Sequence, residues 1–257
     1  MSRLLVAIGL TAMCMCVLAL VGHAMNWGTA LWTDDFEDGN YTSNQTWTVF
    51  GDPYGQATRS VTTWEEDYAF RLTAPFVDAL GAGWSGAYEN TSQGDQGLLA
   101  WVDTSPLAND NWAAICLLRF SATTQPMGAG FGTGYALALQ HLASGALNAQ
   151  LYQINDTGYT TIGSSVQVSA SYTDVWVRFQ AIGADSQTHL LARVWPAGDT
   201  EPTNWTLDAT SGITAYYNTG RIGVGVVATS TGVTGDAYFD DVQYFTGNPL
   251  NAEPLPF

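Results

Sequence analysis

Much of the chain alternates apolar and polar residues in short runs, which is the pattern of β-strands with one buried face. In the run DVWVRFQAIG (174–183), the odd-numbered positions are apolar, whereas Trp176 and Arg178 occupy the opposite face. The runs 188–198 and 221–230 alternate in the same way. The pattern predicts further strands at 57–64, 68–74, 98–103, 112–120, 134–142, 146–154 and 160–168, and one at each end of the folded part.

Glycine-bearing turns separate these runs, and no amphipathic helix of useful length follows the first apolar segment. Many short antiparallel strands in one domain of this size favour an all-β fold, a two-sheet antiparallel β-sandwich of the jelly-roll type. An up-and-down barrel is the alternative. The glycine-rich stretch 76–97 is expected to be a loop that contains one short strand.

The N-terminus reads as a secretory signal peptide over residues 1–24. One arginine precedes an apolar run from Leu4 to Val21, and the sequence GHA at 22–24 fits cleavage after Ala24. An uncleaved membrane anchor is the alternative, since about 18 apolar residues just span a bilayer. We therefore predict a secreted or cell-surface protein with one domain over residues 27–247 and a Pro-rich tail over 248–257, and no membrane insertion after cleavage.

The formal net charge of −16 arises from 23 acidic and seven basic residues, none of which is a lysine. Nucleic acids and polyanionic substrates are bound through Lys and Arg, so this charge argues against both as partners. Cleavage of the leader leaves Cys116 as the one remaining cysteine, which excludes an intrachain disulfide. Its apolar neighbours favour a buried, unreactive thiol.

Three stretches of the sequence resemble the concanavalin A-like lectin/glucanase superfamily, in particular its laminin-G-like secreted members. They are the N-terminal DDFED (34–38), the block 174–207, and the closing GRIGVGVVATSTGVTGDAYFDDVQYF (220–245). The resemblance implies that the first and last strands pair, that one concave sheet receives a glycan, and that a calcium ion lies near the paired termini.

A catalytic site is not evident from the sequence. The laminarinase branch of the superfamily carries Glu-x-Asp-x-x-Glu on one strand, and no such motif is present. The nearest acidic cluster, WEEDY (64–68), fits a hairpin tip better. His141 and His189 have no basic cluster beside them, as neutralising an anionic polysaccharide would require, and no Gly-x-Ser-x-Gly elbow is present.

Carbohydrate binding is better supported, because ten Trp and twelve Tyr are available to stack on sugar rings. Trp176 and Arg178, like Arg193 and Trp195, alternate with aliphatic residues that would fill the core. The predicted carbohydrate-binding set is Trp176, Arg178, Arg193, Trp195, Trp205 and the loop residues Trp84 and Tyr88. The alternative for each Trp is packing beneath a loop.

Calcium is the predicted cofactor, because hard cations bind clusters of carboxylates. Asp35 and Glu37 would meet Asp240 and Asp241 if the terminal strands pair, and a metal would relieve their repulsion. Simple alternation places Asp240 on the same face as Tyr238, Val242 and Tyr244. Without pairing, these acids are exposed strand ends.

The sequence thus predicts a secreted, non-catalytic module whose partner is a glycan or cell-surface polysaccharide. A glycan hydrolase or lyase on the same fold and an extracellular structural or adhesive subunit are the alternatives. The oligomeric state is left open by the sequence.

Overall fold

The computed structural model contains fifteen strands in its described residues, which are 30–42, 47–51, 58–64, 67–75, 84–89, 94–104, 112–121, 132–142, 144–155, 158–170, 174–210, 213–228 and 234–246. The strands are β1 (Trp32–Asp34), β2 (Trp47–Gly51), β3 (Thr58–Trp64), β4 (Asp67–Pro75), β5 (Trp84–Glu89), β6 (Gln96–Asp103), β7 (Trp112–Ser121), β8 (Thr133–His141), β9 (Leu147–Asn155), β10 (Gly158–Ser169), β11 (Asp174–Ile182), β12 (His189–Pro196), β13 (Leu207–Ala209), β14 (Arg221–Ala228) and β15 (Thr234–Thr246). A short 3₁₀ helix, Asp185–Gln187, joins β11 to β12. The predicted signal peptide and the predicted tail lie outside the described residues.

The strands form two antiparallel sheets. Sheet A has the order β13-β12-β11-β6-β15-β4-β3, with β1 also paired to β15. Sheet B has the order β10-β9-β8-β7-β14-β5-β2. This arrangement confirms the predicted jelly-roll β-sandwich. In the described part of the chain, no helix is long and apolar enough to cross a membrane.

The core lies between the two sheets and is built from the apolar positions of the alternating runs. Val175, Val177 and Phe179 of β11 are fully buried there, as the alternation predicts. Sheet B contributes Val224 and Val226 of β14 to the same core cluster. Each sheet therefore has an inner face, which packs against the other sheet, and an outer face, which is turned away from it.

The hairpins and the paired termini also agree with the predictions. Trp64 pairs with Asp67 across the two-residue tip of the β3–β4 hairpin, where the sequence is WEEDY. The first strand pairs with the last in antiparallel register, with Trp32 opposite Tyr244 and Asp34 opposite Val242. The strands β2 and β13 were not predicted.

At one end of the sandwich, the side chain of Arg119 joins the two sheets. This side chain has no solvent exposure. Its guanidinium donates hydrogen bonds to the carbonyl oxygens of Gly183 at 2.6 Å, Gly94 at 2.8 Å and Tyr217 at 3.0 Å. These contacts connect β7 of sheet B to the ends of β6 and β11 in sheet A. A buried arginine needs such acceptors, because burial lowers its pKa and disfavours the charged form.

Candidate functional site

The outer face of sheet A carries three tryptophans side by side, which we call the tryptophan row: Trp195, Trp176 and Trp101. Trp195 of β12 lies opposite Trp176 of β11, and Trp176 lies opposite Trp101 of β6. Trp176 and Trp101 are partly exposed, whereas Trp195 is 7% exposed. Directly opposed residues of neighbouring strands project from the same face of a sheet, so the three tryptophans lie on one face across three strands.

Asp240 of β15 continues this row, because it lies opposite Trp101. Burial raises the pKa of its carboxyl group to about 7, and the charges of Asp241, Asp67 and Glu37 act in the same direction. A hydrogen bond of 2.7 Å from the backbone N–H of Asp241 to Oδ1 opposes the rise. The row therefore ends at an acid that holds its proton to a higher pH than an ordinary aspartate does.

A β-bulge sets the direction of Asp240 and corrects one expectation from the alternation. The register of β15 against β6 shifts between Asp240 and Gln243, and Asp241 adopts a positive φ of 48°. Val242 and Tyr244 consequently lie in the core, whereas Asp240 is on the outer face with Tyr238. The prediction that all four share one face was wrong, because a bulge adds one residue and inverts the alternation beyond it.

The bulge lies where β15 changes partner, and this explains why acids gather there. Residues 234–239 of β15 pair with β4, and residues 242–244 pair with β1. The acidic start of β4, at Asp67, therefore meets the acidic stretch that follows β1. Burial raises the pKa of Asp241, and the charges of Asp35 and Asp67 act in the same direction. A hydrogen bond with Asp67 raises the pKa of Glu37.

The predicted metal ligands Asp35, Glu37, Asp240 and Asp241 are thus brought near one another by the fold. Within the described ranges, however, no three acidic, histidine or cysteine side chains converge closely enough to hold a metal ion. Asp34 has a different function: it is 1% exposed and accepts a 2.7 Å hydrogen bond from Nε1–H of Trp47. Calcium binding stays a prediction.

The two predicted binding arginines are held by an ion-pair network on the outer face of sheet A. Arg178 donates two hydrogen bonds to Glu201, at 2.7 and 2.8 Å, and Arg193 donates a third at 2.7 Å. Arg193 also donates a 2.8 Å hydrogen bond to the carbonyl oxygen of Thr203. Both arginines are nearly fully buried, at 7% and 2% exposure. They fasten the segment 201–206 onto the sheet.

The remaining predicted binding residues lie apart from the tryptophan row. The ring of Trp205 lies 3.9 Å from the guanidinium carbon of Arg193, so this tryptophan packs on the same network. Trp84 and Tyr88 are on β5 of sheet B and are not loop residues. Of the seven predicted carbohydrate-binding residues, the row includes Trp176 and Trp195.

Trp101 and Glu201 were not selected from the sequence. Trp101 is in the run LLAWVD, where Leu98, Ala100 and Val102 alternate with it, so its outward direction could have been inferred. Its place beside Trp176 depends on the register between β6 and β11, which are far apart in the chain. Glu201 is in a loop without periodicity, so no comparable signal marks it.

The described residues offer little else for nucleophilic or general-base chemistry. Cys116 is buried, and burial raises the pKa of its thiol to about 12, which leaves it as the unreactive thiol form. His189 is 2.6 Å from the carboxylate of Asp208 on the neighbouring strand. Neither group lies in the tryptophan row.

No protein-family model matches the sequence, and no curated protein matches it. Solved structures do match, and they share a concanavalin A-like jelly-roll fold. A carbohydrate-binding module, CBM66 from Bacillus subtilis, matches with a TM-score of 0.50 at 13% identity over 80% of this chain and 100% of its own. The carbohydrate recognition domain of Emp47p matches with a TM-score of 0.50 at 12% identity, over 84% and 95% of the two chains.

A β-glucanase from Bacillus licheniformis matches with a TM-score of 0.52 at 11% identity, over 86% of this chain and 99% of its own. At these identities the likeness shows the fold alone. This chain has the concanavalin A-like jelly-roll fold. Similar structures thus include binding modules, lectin domains and glycoside hydrolases, so the choice among these functions depends on the site.

Proposed function

We propose that this protein is a secreted carbohydrate-binding module that binds glycan on the outer face of sheet A without catalysis. The observation that carries the proposal is the tryptophan row. Aromatic faces stack on the C–H faces of sugar rings, and the partly exposed Trp176 and Trp101 stand in fixed positions on neighbouring strands. Asp240 adjoins the row and supplies a polar group for sugar hydroxyls.

The ion-pair network supports this arrangement by preorganising the face. Arg178 and Arg193 are neighbours of Trp176 and Trp195 on the same strands, and Glu201 holds both guanidinium groups. Side chains that are already fixed lose little conformational entropy when a ligand binds. The arginines therefore act as supports of the platform and not as direct sugar ligands, which replaces the function that the sequence predicted for them.

A panel of soluble and insoluble polysaccharides, with an assay for released reducing sugar on the same samples, tests the proposal. Binding without release of sugar is the expected result. Absence of binding to every glycan in the panel contradicts the proposal. Catalytic release of reducing sugar over many turnovers contradicts it as well. Residues 25–257 are the material for this test, so that the predicted leader is absent.

Glycan hydrolysis is the second candidate, and the state of Asp240 favours it. A general acid must be protonated near neutral pH. The carboxyl group of Asp240, which lies beside the tryptophan row and has a pKa of about 7, fits that requirement. Glu37 or Asp67 would have to supply the second carboxyl group. Sugar release that is lost in Asp240→Asn would favour this candidate over the binding module.

Calcium binding near the paired termini is a separate proposal that comes from the resemblance. It is tested by thermal melting of the protein in calcium and in chelator. A midpoint several degrees higher in calcium is the expected result, because a bound ion stabilises the folded state. An unchanged midpoint contradicts it.

A further inference from the structure

The charges around the end of the tryptophan row restrict the kind of glycan that fits it. Asp240 is opposite Trp101, and its pKa responds to the charges of Asp241, Asp67 and Glu37. None of the ion pairs among the described residues involves any of these four acids. Arg71, the basic residue of β4, is engaged with Asp236 at 2.5 Å. The end of the row is therefore an anionic region without a described counter-charge.

The carboxyl group of Asp240 also retains bonding capacity. Its Oδ1 accepts the 2.7 Å hydrogen bond from the N–H of Asp241, and no described residue donates a hydrogen bond to Oδ2. A carboxylate has about four lone-pair positions on its two oxygens. A ligand that brings a charged N–H donor would both fill this capacity and relieve the repulsion among the acids.

We propose that the glycan bound by the tryptophan row carries a protonated amino group, and that Asp240 accepts its hydrogen bond. The ligand class is thus amino sugars with free amines, such as oligomers of glucosamine. This inference rests on the proposed carbohydrate-binding function and names its ligand class. The tryptophans contribute twice, because they stack on the sugar ring and attract a cation over their faces.

A single ammonium group needs one carboxylate acceptor, which Asp240 provides. Uronate-containing glycans are the opposite case, since they would bring a further negative charge to this region of a protein with a net charge of −16.

Calorimetric titration with three hexasaccharides at low ionic strength tests the inference: glucosamine hexamer, its fully N-acetylated form, and cellohexaose. The glucosamine hexamer is expected to bind about tenfold more tightly than either neutral oligomer, and added salt should reduce that preference. Asp240→Asn should abolish the preference, so that the glucosamine hexamer binds no more tightly than the neutral oligomers. Asp199→Asn, which changes an exposed acid in the loop after β12, should leave the preference unchanged.

The outcomes separate the two proposals. Neutral oligomers that bind as tightly as the glucosamine hexamer overturn the inference and leave the carbohydrate-binding function standing. An amine preference that survives in Asp240→Asn overturns the assignment to Asp240. Failure of all three oligomers, together with failure of the polysaccharide panel, contradicts the proposed function and the inference with it.

Discussion

At the scale of single residues, Asp240 links the stability of the fold to pH. Its pKa is about 7 in the folded protein and near its ordinary value of 3.8 when the chain is unfolded. Between these values the unfolded chain releases a proton that the folded protein keeps. The contribution of Asp240 to stability is thus fully present below about pH 4 and is lost as the pH rises through 7.

Relative to the unchanged protein, Asp240→Asn should therefore be more stable at pH 8 than it is at pH 4. Asparagine does not ionise, so the variant lacks the cost of a buried charge at high pH. We expect its melting temperature, relative to that of the unchanged protein, to be a few degrees higher at pH 8 than at pH 4. In Asp199→Asn this difference should not depend on pH. A difference that is equal at both pH values for Asp240→Asn would contradict the account.

Glu201 is the residue on which the outer face of sheet A depends. Burial raises its pKa, but the hydrogen bonds and charges of Arg178 and Arg193 outweigh burial and hold the pKa below its ordinary value. Glu201→Gln would remove the negative charge that both nearly buried guanidinium groups contact. We expect it to lower the free energy of unfolding by about 3 kcal/mol, measured by urea denaturation.

Asp208→Asn is the matched control for Glu201→Gln. Asp208 also contacts a side chain on β12, His189, at 2.6 Å, but its own side chain is 58% exposed. Exposed pairs contribute about 0–1 kcal/mol, so this variant should change stability little. Equal losses in the two variants would show that the network around Glu201 does not support the face.

At the scale of strands, alternation predicted the long strands and failed where the chain departs from regular pairing. The runs at 174–183, 188–198 and 221–230 correspond to β11, β12 and β14, because each has one apolar face against the core. The strand β13 has three residues, which is too short for a period of two to be recognised. The bulge in β15 could not be predicted, because the two aspartates resemble ordinary polar positions.

The site was predictable to a smaller extent than the strands. The outward direction of Trp176 and Trp195 followed from periodicity within their own strands. That Trp101 and Asp240 lie beside Trp176 depends on which strands are neighbours and on their register. Those pairings join segments about 75 to 140 residues apart. A local pattern contains no information about such a register, whereas the fold determines it through the whole core.

Gly220 immediately precedes β14, and a substitution there tests how the two sheets are joined at this point. A Cβ atom built on Gly220 would overlap the backbone of Arg119, the residue whose side chain connects the sheets. Gly220→Ala must therefore displace the backbone, and we expect it to lower the free energy of unfolding by about 3 kcal/mol or more.

Gly198→Ala is the control for Gly220→Ala, because a Cβ at Gly198 would meet nothing within 4 Å. It should change the free energy of unfolding by about 0.5 kcal/mol or less. Urea denaturation of both variants is the measurement. A Gly220→Ala protein as stable as Gly198→Ala would contradict the described packing of Arg119.

At the scale of the whole molecule, a jelly-roll sandwich presents two outer faces, and function is decided by which face carries the right side chains. The fold is shared by binding modules and by glycoside hydrolases, so it does not decide between them. Sheet A carries the tryptophan row. Sheet B carries an exposed aromatic of its own, Tyr159 on β10, which is 55% exposed.

The most direct test of the central claim is therefore a comparison of the two faces by calorimetric titration. The ligand is whichever oligosaccharide or soluble polysaccharide the panel identifies. Trp101→Ala with Trp176→Ala should weaken binding at least tenfold, because each stacked aromatic contributes about 1 kcal/mol or more. Tyr159→Ala should bind as the unchanged protein does. Retained binding in the tryptophan double variant, once its fold is verified by circular dichroism, would contradict the placement of the site on sheet A.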